Sequence, residues 1–123
     1  MKMLGVPLSM LLMAMWLTPA SAGDIGYKSP AEALADLKAK PGVTAREEND
    51  WIVLHDSANN TIWSITSDAH PAHPTALERA IVAREGQVLV EMNVLCGASR
   101  EICDQVVAQF QQINQGLRDG LQN

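Results

Sequence analysis

Basic residues are scarce in this chain: nine Lys and Arg stand against 14 Asp and Glu, a formal net charge of −5 at pH 7. The clustered cations that neutralise phosphates are missing, so the chain is expected to be a poor binder of nucleic acid and of anionic membrane surfaces. Cysteine is scarcer still, with only Cys96 and Cys103, and the aromatic set is three Trp, one Tyr and one Phe. Two thiols do not complete a tetrahedral metal site by themselves. The six residues between them are not the two-residue spacing of thiol oxidoreductases. After residue 22 no apolar run approaches the roughly 20 residues a membrane helix needs, so no membrane span is expected in the remainder. No internal repeat or low-complexity tract is present.

What is there begins with residues 1–22, which read as a secretory signal peptide. Lys2 gives a basic start, residues 3–17 form an apolar run too short to span a bilayer comfortably, and Ala20-Ser21-Ala22 is a small-x-small cleavage site. Cleavage there leaves 101 residues (123 less 22) and removes only Lys2, so eight basic residues (nine less one) face 14 acidic ones. Gly23 rather than a cysteine follows the site, which argues against a lipid anchor. The expected product is a free-standing, soluble exported protein. In an oxidising compartment Cys96 and Cys103 read as a disulfide. The loop they close is about eight residues, for which chain entropy gives a stabilisation of roughly 2.5 kcal/mol.

Along the mature chain, residues 23–28 read as a flexible leader, 29–119 as one domain, and 120–123 as a frayed end. Ser29-Pro30-Ala31-Glu32 is a helix start, with Ser29 as the cap and Pro30 at the first helical position. Pro41-Gly42 stops that helix. Short β-type runs follow at 43–47, 51–55 and 61–66, separated by Asn49-Asp50 and by the turn residues of 56–60. Residues 67–74 are a polar loop with two prolines. Residues 75–85 are ambiguous between a capped helix and a strand. The alternation of Val88, Val90, Met92, Val94 and Cys96 makes 88–96 a long strand that needs a partner, which favours strand for 75–85. Ser99 caps a last helix running to about Leu117, whose apolar stripe is Ile102, Val106, Phe110, Ile113 and Leu117. The order implies an α+β fold: an antiparallel meander of four to five strands, with the N-terminal and C-terminal helices on one face and one disulfide.

Chemistry-bearing residues are few. Asp68, His70 and His73 have metal-ligand character, with His55 a possible fourth. A proline-punctuated loop does not hold two imidazoles on one side as a helix would, so a solvated turn is the competing reading. Ser57, Ser64 and Ser67 lie near His55 and His70 in sequence, yet no Gly-x-Ser-x-Gly elbow surrounds them. Trp51 and Trp63 read as core, and Trp51 equally as a partner anchor alongside His70 and His73. Glu78, Arg79, Arg84, Glu85 and Glu91 read as cross-strand charge pairs on a wet face.

The run Trp63-Ser64-Ile65-Thr66, followed by His70-Pro71-Ala72-His73-Pro74 and the late Cys96 and Cys103, resembles a family of small exported bacterial proteins, some of which bear a DnaJ-like name. The His-Pro-Asp of a J-domain is missing, since the sites read His70-Pro71-Ala72 and His73-Pro74-Thr75. The resemblance implies a Gram-negative periplasmic setting and a strand at 75–85, and it carries no activity or cofactor. The expected function is an accessory or binding protein without catalytic activity, acting on a protein partner of the cell envelope, including as an inhibitor or immunity protein. The alternative is a metal-binding protein or small metalloenzyme using Asp68, His70 and His73. Oligomeric state and partner identity stay open.

Overall fold

The computed structural model describes residues 24–122; the proposed signal peptide lies outside them. Helix α1 (Pro30–Ala39) leads into strands β1 (Val43–Glu48), β2 (Trp51–Asp56), β3 (Thr61–Thr66), β4 (Thr75–Arg84) and β5 (Gln87–Cys96), and helix α2 (Arg100–Gln122) ends the described chain. The strands form one antiparallel sheet in the order β1-β2-β3-β4-β5. The fold is α+β with a five-stranded meander, and residues 75–84 are a strand.

Local chemistry sets each boundary. The Ser29 hydroxyl accepts from the Glu32 N–H at 3.0 Å, and the Glu32 carboxylate accepts from the Lys28 N–H at 2.9 Å, so one donor inside α1 and one just before its cap are satisfied. Glu48 pairs with Trp51 across a two-residue turn in which Asn49 and Asp50 both have positive φ, 52° and 65°. That left-handed pair matches the twist of the flanking strands, and Asn and Asp adopt it more readily than most residues. Glu85 and Gly86 do the same between β4 and β5.

The helices do not share a face. Ile52, Leu54, Trp63, Ile65 and Ala76 pack with Ala33 and Leu37 of α1, whereas Trp51, Val53, Leu77 and Val94 pack with Val106 and Phe110 of α2. Side chains of a strand alternate between faces, so the unbroken run Trp51-Ile52-Val53-Leu54 makes β2 apolar on both. Each face needs its own cover, and the sheet becomes the middle of three layers.

The segment expected as a flexible leader is docked from Ile25 onward. Ile25 is 4% exposed in the α1-side core. The Tyr27 ring meets Trp63 edge-on at 5.7 Å between centroids, and its hydroxyl donates to Asp36. That hydrogen bond is the main reason its pKa is pushed up to about 12, followed by burial and the nearby carboxylates. At the other end, α2 continues to Gln122 rather than fraying after Asp119. Gly116 and Gly120 are tolerated in a helix at exposed positions at a cost of roughly 1 kcal/mol each relative to Ala.

Cys96 ends β5, Cys103 lies in the first turn of α2, and the two form a disulfide with Cα atoms 6.0 Å apart. Gly97 follows because the chain passes very close to the 67–74 loop there. A Cβ at that position would sit 2.8 Å from the Pro74 carbonyl oxygen, to which the Gly97 N–H donates at 2.7 Å. Among the described residues, no helix is long and apolar enough to cross a membrane.

Candidate functional site

The 67–74 loop is built by consecutive turns. Ser67 N–H donates to Asp50 O, His70 N–H to Ser67 O, and His73 N–H to His70 O. These turns send the two imidazoles to opposite faces of the sheet. His70 leans on Trp51 with ring centroids 4.3 Å apart, and its Nδ1 accepts from the Ala72 N–H at 2.9 Å. His73 points to the α1 side, where its Nε2 lies 3.5 Å from Asp68 Oδ1 and its Nδ1 lies 2.9 Å from Thr66 Oγ1. Asp68 and His73 therefore meet while His70 turns away. Among the described residues no group of three His, Cys, Asp or Glu side chains is placed to hold a metal.

The Asp68-His73-Thr66 file has the outline of a hydrolytic triad, but its chemistry is that of a clasp. With the proton on Nε2 facing Asp68, His73 Nδ1 accepts from the Thr66 hydroxyl. That same oxygen accepts from the Thr75 N–H at 2.9 Å, and Thr66 is buried. Ser64 is equally sequestered, 1% exposed and accepting from Arg79. Among the described residues no serine hydroxyl is hydrogen-bonded to a histidine; the Asp68-His73-Thr66 file ties the loop to β3 and to the start of β4.

Open cavities lie on both faces of the sheet: one of about 630 Å³ on the α1 side beside Pro30, Leu34 and His73, and a groove on the α2 side that reaches a buried arginine. Contact between α2 and the sheet is concentrated on β5. Val106 and Phe110 are buried against the sheet, whereas Ile113 is 43% exposed. An open cavity of about 450 Å³ lies between the helix and β1, β2 and β3. Trp51, Val53 and Ile62 form apolar floor, Phe110, Ile113 and Leu117 the helical wall. Trp51 is 7% exposed and meets Phe110 edge-on at 5.1 Å, so it is a core residue whose edge borders the groove. Arg46 and His55 stand at the rim, hydrogen-bonded to each other at 3.2 Å, and Arg46 is paired with Glu48 at 3.0 Å. His70 closes one side.

Arg79 also lines this groove, and it is the residue sequence reasoning placed wrongly. Arg84 and Glu91 do form a surface pair at 2.9 Å, and Glu78 accepts from Asn93 on the α1 side. Arg79 instead lies buried beneath α2, its guanidinium carbon 5.0 Å from the centre of the Phe110 ring. The pattern contained the signal: Leu77, Arg79 and Ile81 alternate on one face, between two apolar neighbours.

Burial pushes the His70 pKa below its ordinary 6.5, opposed by Asp50 and reinforced by His73. A histidine that resists protonation when folded contributes stability above pH 6.5 and loses it as pH falls below that value. Urea unfolding at pH 7.5 and pH 5.5 is expected to show lower stability at the acid pH. His70→Phe, which keeps an aromatic ring on Trp51, should shrink that difference; an unchanged difference would assign it to other groups.

Comparison of the chain with protein-family models, curated proteins and solved structures finds no match.

Proposed function

We propose that this is an accessory protein of the periplasm, without catalytic activity, that works by binding a partner of the cell envelope in the groove beneath α2. The observation that carries this reading is an apolar-walled cavity of about 450 Å³, open at the surface between α2 and β1, β2 and β3. Cavities of roughly 300–1,000 Å³ with a few convergent polar groups are where proteins take ligands. The burial of Ser64 and Thr66 supports a role in binding over one in hydrolysis. The disulfide and the reading of residues 1–22 support an oxidising compartment outside the cytoplasm.

The test uses oxidised protein as bait on an envelope extract, beside Ile113→Glu/Leu117→Glu at the groove mouth and Lys38→Glu on the exposed side of α1. The wild type and the Lys38 variant are expected to retain the same partner, and the groove variant to lose it. Retention by all three, or by none, would sink the proposal.

A further inference from the structure

Arg79 is a buried cation without a counter-anion. It is 7% exposed, one guanidinium nitrogen donates to Ser64 Oγ at 3.3 Å, and its Nε has no acceptor. Among the described residues no Asp or Glu carboxylate forms an ion pair with it. The Phe110 ring beneath it is a weak substitute for an anion. A buried charge of this kind is destabilising unless it is paired, and an apolar side chain of similar size would serve the fold better.

We infer that the groove binds a small monocarboxylate with an apolar body, whose carboxylate supplies the counter-anion that Arg79 lacks. This rests on the groove being the working face of the protein. Charge counting selects the head group. The Arg46 cation is already compensated by Glu48, which leaves Arg79 as the one uncompensated cation of the groove and calls for one negative charge rather than a phosphate dianion. The planar guanidinium fork matches a carboxylate. The walls select the rest of the molecule, since Trp51, Val53, Ile62 and Phe110 offer apolar surface beside the guanidinium. The volume, about 450 Å³, is that of a small-molecule site.

The probes are decanoate and its neutral amide, decanamide, titrated below micelle-forming concentrations into oxidised protein and followed by calorimetry and by thermal shift. Decanoate is expected to bind about tenfold or more tightly than decanamide, the ratio a charge-assisted hydrogen bond to a buried guanidinium supplies. Arg79→Met is expected to remain folded, with a Tm at or above that of the wild type, and to bind both probes alike. Ser64→Asp, which sets a carboxylate beside the guanidinium, is expected to abolish the preference by the opposite route, and it carries the test should Arg79→Met not fold. Equal binding of acid and amide by the wild type would overturn the inference while leaving the groove as a docking face. So would a preference that survives both substitutions. Binding of an acetylated Ala-Leu-Val tripeptide acid without any binding of decanoate would overturn it in favour of a protein C-terminus as the occupant. If neither probe binds, the inference falls, and the envelope bait experiment then decides separately whether the groove is used at all.

Discussion

Phe110→Ala is expected to cost about 3–5 kcal/mol of stability, the range for removing a buried aromatic ring. It is also expected to release most of α2 from the sheet. Phe110 is 4% exposed, meets Trp51 edge-on at 5.1 Å and underlies the Arg79 guanidinium at 5.0 Å. Only Val106 shares its degree of burial on α2, so the ring is the helix's principal anchor beyond the disulfide. The substitution also leaves Arg79 facing a void in place of a π-face. Urea unfolding monitored by tryptophan emission measures the loss. Ile113→Ala, three residues further along the same stripe but 43% exposed, should change stability by no more than about 0.5 kcal/mol. Comparable losses from the two substitutions would mean that α2 is held along its whole length and that the groove is closed in solution.

The second large effect is expected from replacing Cys96 and Cys103 together by Ser, at about 2–3 kcal/mol. The bond joins residues seven apart in sequence, so the entropic gain per loop residue is high though the total is modest. Its structural weight comes from position. It ties the end of β5 to the first turn of α2, at the turn where Ser99 Oγ accepts from the Ile102 N–H at 3.3 Å. Reductant should lower the urea midpoint of the wild type and leave the double variant unaffected. A wild type indifferent to reductant would remove the brace from the account of stability. The losses from this variant and from Phe110→Ala should be less than additive, because both act on the docking of one helix.

How far the sequence disclosed this fold depends on which residues carried the information. The stripe Ile102, Val106 and Phe110 repeats at helical spacing and identified α2 directly. The alternation from Val88 to Cys96 identified β5 and, through its need for a partner, β4. Layering was less legible. Ile62, Ser64 and Thr66 look like a wet face because two of the three are polar, yet each polar group has an internal partner: Ser64 takes Arg79, and Thr66 takes Thr75. A satisfied hydroxyl packs beneath a helix almost as readily as an apolar group, so polarity alone misreported exposure. The continuous run from Trp51 to Leu54 was the better indicator that both faces are covered. The groove itself was invisible, because it is made by the mismatch between a 23-residue helix and the narrower strip of sheet it contacts. No local pattern encodes such a mismatch. His70 and His73 show the same limit: three residues apart in sequence, they are directed to opposite faces by turns whose hydrogen bonds lie in the backbone.

The strand order β1-β2-β3-β4-β5 has a kinetic consequence. Every strand pairs with its immediate neighbour along the chain, so each pairing step closes a short loop and pays little entropy before its contacts form. Assembly can therefore proceed hairpin by hairpin, without a distant strand having to be found first. The two thiols, separated by six residues, meet by local diffusion whether or not the sheet is complete. Wherever the surroundings are oxidising, the covalent link can form early, with no competing cysteine to mispair among the described residues. An early link of this kind tethers the first turn of α2 beside β5 and spares Phe110 part of the search for the surface it docks on.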